Sequence, residues 1–275
     1  DMKVLDLTNH IAGPYCTKLL ADYGADVIKV EKPGEGDSAR RLGPFPGDVP
    51  HPEKSGLFLH LNTNKRSITL DLRSETGRRV FLHLAEGVDV VVESFRPGVM
   101  ASFGLDYPVL HKINPDLVMA SISSFGQTGP YRDFKASDLV LAGLGGSQAG
   151  SGVAEKPPLR IAPFVTQFVA SLYASVGIMA AFFAQRWQGT GGQYLDLSMV
   201  ELLNAFGDGR GPSQLRYKFT KREEARVPIG GRIISSPPAG AYPCQDGYAE
   251  WFGMERWRQV SKMVGRPDFL TDPRF

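Results

Sequence analysis

The chain has 275 residues, of which 42% are hydrophobic and 22% are charged, a composition typical of a soluble globular protein with a substantial core. Its net charge of +2 favours neither nucleic acid nor an acidic membrane surface as a partner. The only cysteines, Cys16 and Cys244, are too few for a disulfide framework or a zinc site. We therefore expect no metal, and a reducing cytoplasmic compartment.

The N-terminal elements predict an α/β fold with a parallel sheet. Lys3–Leu7 reads as a strand, Tyr15–Tyr23 as a helix that Gly24 ends, and Asp26–Glu31 as a second strand. A strand, a helix and a second strand in this order form a βαβ unit, whose strands are parallel. Ligands of such sheets bind at the loops that follow the carboxyl ends of the strands.

Basic residues follow two of these early elements. Lys32 comes directly after the second strand, and Lys65 and Arg66 precede a strand predicted at Ile68–Asp71. Lysine and arginine at such places are either solvated surface charge or partners of phosphate oxygens. The residue types alone leave both interpretations open.

The middle of the chain continues the alternation of strands and helices. Ser74–Glu86 has helical periodicity with Val80, Phe81 and Leu84 predicted to face inward. Val88–Glu93 and Leu117–Ser121 are apolar runs typical of buried parallel strands. The glycines of Phe125–Tyr131 predict a tight turn.

A long apolar segment, Gln167–Trp187, predicts a helix buried on nearly every side. Small residues alternate with large ones along it, which is typical of close packing against a neighbouring helix. Its length raises the possibility of a membrane span. Gln167, Gln185, Arg186 and the absence of a second such segment favour a core helix and no membrane. A strand at Tyr194–Leu197 and a further helix follow.

Several separated motifs resemble those of one protein family. They are DLT…AGP…LADYGADVIKVEKPG, the run NTNKRSI.LD, the loop FGQTGPY, the frame GI.AA…R…GGQ..D.SM.E and the closing DPRF. Together they are similar to the family III CoA-transferases, the CaiB/BaiF-type carnitine and formyl-CoA transferase group. The resemblance implies a Rossmann-like large domain, an interlocked dimer, and coenzyme A as the carrier of the transferred acyl group.

The resemblance also implies a division of the chain. Residues 1–206 would form the large CoA-binding domain, 207–234 a connector, and 235–275 the start of a smaller α+β domain. Family members continue well beyond the DPRF motif. We therefore expect the small domain to be truncated here.

The family's coenzyme A contacts map onto specific positions of this sequence. Lys32 is implied at the adenosine phosphate and Phe95 near the adenine. The full set implied to bind coenzyme A is His10, Ala12, Lys32, Lys65, Arg66, Ser94, Phe95, Lys135 and Met199.

The family nucleophile, an aspartate that opens the long apolar helix, has no counterpart at the matching position. That position is Gln167, or Phe168 if the register is shifted by one residue, and the sequence contains no Asp or Glu from Lys156 to Leu195. Asp138 takes the place of an acid near the acyl end of the family site. A glutamine amide is neutral and cannot form the acyl anhydride that transfer through a carboxylate requires.

Three hypotheses remain open. The chain is an active transferase that uses another acid such as Asp138, a CoA-binding protein without transferase chemistry, or a transferase subunit. We predict the third: a subunit that acts on an acyl-CoA and a carboxylic acid. Its nucleophilic aspartate would come from a homologous partner chain in a hetero-oligomer, a homodimer being the other possible assembly.

Overall fold

The computed structural model describes residues 2–146, 148, 151–160, 162–205, 217–222, 240–251 and 257–273. Its centre is a six-stranded sheet in the order β3-β2-β1-β4-β5-β6, in which every pair of neighbours is parallel. The strands are β1 (Lys3–Leu7), β2 (Asp26–Glu31), β3 (Lys65–Thr69), β4 (Val90–Glu93), β5 (Val118–Ser123) and β6 (Tyr194–Ser198). This topology confirms the predicted Rossmann-like α/β fold.

Helices cover both faces of the sheet. The helices of the described residues are α1 (Ala12–Asp22), α2 (Gly56–Leu61), α3 (Glu75–Ala85), α4 (Val99–Ser102), α5 (Tyr107–Ile113), α6 (Asp138–Leu144), α7 (Val165–Gln188), α8 (Met199–Ala205), α9 (217–220) and α10 (Trp257–Met263). Short 3-10 turns lie at Ser38–Arg41, Pro46–Asp48 and Pro267–Leu270.

The two faces of the sheet bury two separate apolar cores. Helices α1 and α7 pack on one face, with Val4, Val92 and Ile122 beneath them. Helices α3, α4 and α5 pack on the other, over Leu5, Val91 and Met119, among other residues. Successive strand residues thus serve opposite cores, which is why β1, β4 and β5 are apolar nearly throughout.

The first βα connection is held by a close approach. A Cβ on Gly13 would lie 2.2 Å from Cβ of Thr8, so only glycine lets α1 begin this near the end of β1. The Thr8 hydroxyl donates to Asp6 Oδ1 at 2.5 Å, and the Thr17 hydroxyl donates to Asp6 Oδ2 at 2.7 Å. The AGP motif therefore fixes the loop that follows β1.

Three sequence predictions differ from the structure in detail. Helix α1 begins at Ala12 rather than Tyr15, and β3 occupies Lys65–Thr69 rather than Ile68–Asp71 because Lys65 already pairs with Val27 of β2. The inward position predicted for Val80 is wrong, since 40% of this residue is exposed. Gly77, Phe81 and Ala85, four residues apart, form the buried stripe of α3 and leave Val80 outside it.

Helix α7 is buried on one face only, which corrects the prediction of burial on nearly every side. Ala170, Ala174 and Ile178 are fully buried against the core. The opposite face exposes large apolar side chains at helical spacing: Leu172, Val176, Met179, Phe183 and Trp187. The helix has the length and hydropathy of a membrane span, but its buried face packs on α1 and the sheet.

The C-terminal part contains a small antiparallel hairpin. Its strands are β7 (Gly240–Cys244) and β8 (Gly247–Trp251), and they lie within the range predicted to open the small domain. Most of the predicted connector 207–234, namely 207–216 and 223–234, lies outside the described residues. The proposed domain boundaries therefore stay predictions.

Candidate functional site

The strand order reverses its direction at β1, which separates β2 from β4. In open parallel sheets a ligand crevice forms at such a reversal, beyond the carboxyl ends of the strands. Two cavities open there, one beside β2 and one beside α7, and we call them the β2 cavity and the α7 cavity. Asn9, after β1, and Phe95, after β4, line both. The two cavities are therefore adjacent parts of one cleft.

The β2 cavity has a volume of about 280 Å³ and combines apolar walls with a basic rim. Phe95 and Phe103 meet edge to face with their ring centroids 6.4 Å apart. Cationic side chains at the rim come from Lys32, Arg41 and Arg73. Apolar walls suit a flat heteroaromatic ring, and the rim suits phosphate oxygens.

Glu31, the last residue of β2, lies at the wall of this cavity as a fixed anion. Burial opposes its charge, but two hydrogen bonds from Arg40, both 2.8 Å long, and one from the Asp37 backbone lower its pKa to about 2. The Arg40 guanidinium also lies 3.7 Å from the centre of the Phe58 ring. Arg40 is therefore neutralised locally, and Lys32 and Arg41 remain at the rim.

The α7 cavity is larger, about 840 Å³, and brings together most of the predicted site residues. It is lined, among others, by His10, Ala12, Ser94, Phe95, Lys135, Asp138, Gln167 and Met199. These side chains come from loops after β1, β4 and β5 and from the starts of α6, α7 and α8. The fold thus gathers segments that are far apart in sequence.

Gln167 lies in the first turn of α7. Phe164, the residue before this helix, has a φ of 64°, and its side chain makes no capping hydrogen bond to the helix. The Gln167 backbone N–H donates to the Phe164 carbonyl at 3.0 Å. Its side chain lines the α7 cavity and is half-buried. The predicted place of the missing nucleophile is therefore at the cavity wall.

Asp138 is tied to the start of α7 and is buried. Its Oδ1 accepts from the Thr166 hydroxyl, and its Oδ2 accepts from the Phe164 backbone at 3.1 Å and lies 3.5 Å from Arg160. The carboxylate replaces the missing side-chain cap, because it satisfies donors at the N-terminus of α7. An attack by Asp138 on a thioester would break these bonds.

His10 and Ser123 bring unpaired polar atoms to the same cavity. Within the described part of the chain, His10 Nδ1 and Ser123 Oγ are buried without a hydrogen-bond partner. Both residues line the α7 cavity. Burial lowers the pKa of His10 below 6.5, against the opposing effect of Asp37 and Asp138.

Comparison with known proteins identifies the family. The family model described as CoA-transferase family III matches residues 1–275. The chain belongs to this family.

Similar proteins include succinyl-CoA--D-citramalate CoA-transferase of Chloroflexus aurantiacus, 36% identical over 100% of this chain and 67% of that protein. The succinyl-CoA--L-malate CoA-transferase beta subunit of the same organism is 36% identical over 98% of this chain and 65% of its own length. A CaiB/BaiF family protein from Brucella suis has a TM-score of 0.81 and 31% identity, with 100% of this chain and 71% of that chain covered. The chain thus spans about two thirds of the length of these transferases.

Two of the contacts implied by the family III resemblance are not at either cavity. The Lys65 side chain is buried, and its ammonium donates to Asp6 at 2.9 Å, the Pro14 carbonyl at 2.8 Å and Asn62 at 2.9 Å. All three of its donors are thus in use. Burial lowers its pKa to about 8, against the attraction of Asp6. This geometry argues against a phosphate contact from Lys65.

Arg66 points away from the cleft. It forms an exposed bidentate pair with Asp26, at 2.6 and 2.8 Å, at the amino ends of β2 and β3. The cleft lies at the carboxyl ends. The NKRSI motif therefore supports the sheet through Lys65 and Arg66.

The residues of the family III cleft that sequence reasoning missed include Asn9 and Arg160. Asn9 lines both cavities, and its side-chain oxygen accepts from Ser38. Its position directly after β1 could have indicated this, since that loop is at the switch point. Arg160 lines the α7 cavity from a loop without regular structure. No periodicity or spacing marks Arg160 in the sequence.

Proposed function

We propose that this chain is the CoA-binding subunit of a transferase whose nucleophilic carboxylate comes from a homologous partner chain. The observation that carries the proposal is Gln167, which lies at the wall of the α7 cavity where the resemblance implies the family aspartate. The other acid near the start of α7, Asp138, is held by donors of the protein itself.

The cleft accommodates coenzyme A from end to end in this proposal. The nucleotide occupies the β2 cavity, with its ring against Phe95 and Phe103 and its phosphates near Lys32 and Arg41. The pantetheine arm passes Asn9 and Phe95 into the α7 cavity. The thioester then lies beside Gln167.

The chemistry requires a carboxylate that this chain does not present. A carboxylate oxygen attacks the thioester carbonyl carbon, the carbon–sulfur bond breaks, and coenzyme A leaves as a thiolate while the acyl group stays on the carboxylate as a mixed anhydride. The neutral Gln167 amide is a poor nucleophile for the first step. The chain's own part is to bind the nucleotide and to place the thioester at the mouth of the α7 cavity.

The relatives support a subunit role and a dicarboxylic acid substrate. One relative is named as a beta subunit, and others are named for succinyl-CoA with mesaconate or citramalate. Arg160, with a side chain 44% exposed at the α7 cavity, is a cation suited to the second carboxylate of such an acid. A monocarboxylic acid would leave this guanidinium with Asp138 alone.

The test is to locate the covalent intermediate. The full-length protein, purified with its native partners, is incubated with succinyl-CoA and trapped with hydroxylamine or borohydride. We expect mass spectrometry to find the modified residue on an aspartate of a partner chain. A modified residue on the wild-type chain itself would contradict the proposal and would make Asp138 the first residue to examine.

A matched pair of variants sharpens this test. Gln167→Asp introduces a carboxylate on a side chain one methylene shorter than that of glutamine. Gln167→Asn has the same length as the aspartate variant but carries no charge. We expect a trapped adduct on the Gln167→Asp chain and none on the Gln167→Asn chain. Equal behaviour of the two variants would show that position 167 does not face the thioester.

A further inference from the structure

The loop after β1 holds a histidine in a backbone conformation that non-glycine residues rarely adopt. His10 has a φ of 76°, and its backbone N–H donates to Asp37 Oδ1 at 3.0 Å. Asp37 is itself buried and lies 2.8 Å from the Lys29 ammonium. A left-handed residue persists only where its surroundings enforce it, and such residues concentrate at functional sites.

A second left-handed residue faces it from the start of α7. Phe164 has a φ of 64°, and its ring meets the His10 ring edge to face at 5.7 Å with an interplanar angle of 71°. Both residues line the α7 cavity, as does Gln167, three residues after Phe164. The two strained residues thus fix the imidazole beside the place where the thioester lies in the proposed function.

The hydrogen bonding of the ring decides which nitrogen carries the proton. Nδ1 is buried and has no partner among the described residues, so a proton there would be a buried donor without an acceptor. Orphaned buried N–H groups are rare because they lose their bonds to water. His10 is half-buried and lines the cavity, so Nε2 is the ring nitrogen through which it reaches a ligand. A neutral ring with one proton therefore carries it on Nε2.

We propose that the Nε2–H of neutral His10 donates a hydrogen bond to the carbonyl oxygen of a bound acyl-CoA thioester. The proposal rests on the proposed function, since it assumes that the thioester lies in the α7 cavity. A donor aimed at that oxygen stabilises the negative charge that develops when a carboxylate attacks the carbonyl carbon. The chain would then polarise the thioester even though the nucleophile belongs to a partner.

The proposal distinguishes a donor from a base. A general base needs an unprotonated nitrogen toward the ligand, but here the free lone pair is on the buried Nδ1. Burial also lowers the pKa of the ring, so that it stays neutral at and above pH 7. His10 would thus keep the same role across that pH range.

The first test compares the affinities of the protein for acetyl-CoA and for S-ethyl-CoA, a thioether that lacks the carbonyl oxygen of the thioester. Calorimetry on the full-length protein should show acetyl-CoA bound about three- to tenfold more tightly, as expected for one neutral hydrogen bond. His10→Gln places an amide N–H near the Nε2 position and should keep the preference. His10→Asn places its amide near Nδ1 and should lose the preference while free coenzyme A still binds.

The outcomes separate this proposal from the proposed function. If wild type and both variants bind free coenzyme A but none prefers acetyl-CoA, the His10 donor is refuted and the CoA site stands. If wild type binds no coenzyme A, the proposed function fails, and this proposal fails with it. Retention of the preference in His10→Asn but not in His10→Gln would also overturn it.

A second measurement does not depend on a variant with full stability. Long-range proton–nitrogen NMR on histidine-labelled wild-type protein reports which ring nitrogen carries the proton. We expect the His10 signals, assigned by their absence in His10→Asn, to show Nε2–H between pH 7 and 8. An Nδ1–H tautomer or a charged ring in this range would overturn the proposal.

Discussion

Two glutamates occupy equivalent places in the sheet and have opposite electrostatic behaviour. Glu31 ends β2 and Glu93 ends β4, and both are buried, at 5% and 3% exposure. The pKa of Glu31 falls to about 2, whereas burial raises the pKa of Glu93 to about 7. The difference comes from their partners and shows that the surroundings, rather than the strand position, set the charge of such a residue.

The partners of the two carboxyl groups explain the contrast. Glu31 has the Arg40 guanidinium, the Asp37 backbone N–H and the Ser67 hydroxyl at 3.1 Å. Glu93 accepts from the Phe95 backbone N–H at 2.6 Å and from Ser121, but its burial and the nearby charge of Asp196 both oppose its ionisation. The carboxyl group of Glu31, at the end of β2, is thus held as a charged and paired group, whereas the surroundings of Glu93, at the end of β4, favour the neutral acid.

Removing the cation from Glu31 should produce the largest effect. Arg40→Met leaves a buried carboxylate without its guanidinium, and loss of one partner of a buried pair typically costs about 3–5 kcal/mol. The free energy of unfolding, measured in urea, should fall by that order. Arg66→Met is the matched control, because its pair with Asp26 is 65% and 46% exposed and is worth about 0–1 kcal/mol.

An equal loss of unfolding free energy in Arg40→Met and Arg66→Met would contradict the contrast between Glu31 and Glu93. It would mean that Glu31 is solvated or protonated in the variant, so that its charge depends less on Arg40 than the geometry indicates. A fall in stability for Arg40→Met alone would confirm that the β2 side depends on paired charge.

Glu93 should make stability decrease as the pH rises. Below about pH 4.5, the pKa of this side chain in the unfolded chain, Glu93 is protonated in both the folded and the unfolded protein. Between that pH and about pH 7, it is protonated only in the folded protein. The contribution of protonated Glu93 to the free energy of unfolding is therefore fully present below pH 4.5 and is lost as the pH rises through about 7. The loss amounts to roughly 3 kcal/mol at most. Glu93→Gln mimics the neutral acid and should lack this loss.

The difference between wild type and Glu93→Gln, measured in urea between pH 5 and 8, isolates Glu93 from other groups that titrate in this range. The exposed Glu201→Gln serves as a control and should follow wild type. Parallel profiles for wild type and Glu93→Gln would show that Glu93 is ionised throughout and that the contrast with Glu31 is wrong.

The sheet was predictable from the sequence because its strands are short apolar runs separated by turns, and β1, β2 and β5 need only their own residues to be recognised. The family motifs also indicated the α7 cavity through Gln167, Ser94 and Met199. Lys65 was not predictable, since a basic residue at a strand start indicates surface, and its burial depends on Asp6, 59 residues away. The left-handed Phe164 likewise depends on Asp138 and His10, which the local sequence does not contain.

The smallest effect expected is on ligand affinity at the β2 cavity. Lys32 follows Glu31 directly, and its side chain is 43% exposed at the rim and paired with Glu35. A charge-assisted bond to phosphate is worth about 1.5–3 kcal/mol, from which the exchange with Glu35 subtracts. Lys32→Ala should weaken coenzyme A binding by about tenfold in calorimetry at moderate salt, with unchanged stability.

The matched control is Arg66→Ala, which removes the same charge at the amino ends of the strands, away from the cleft, and should leave the affinity unchanged. If both variants weaken binding equally, the protein attracts coenzyme A through its overall positive field, and the fixed charges around Glu31 do not position a phosphate. If only Lys32→Ala weakens binding, Lys32 contacts a phosphate of the ligand at the rim of the β2 cavity.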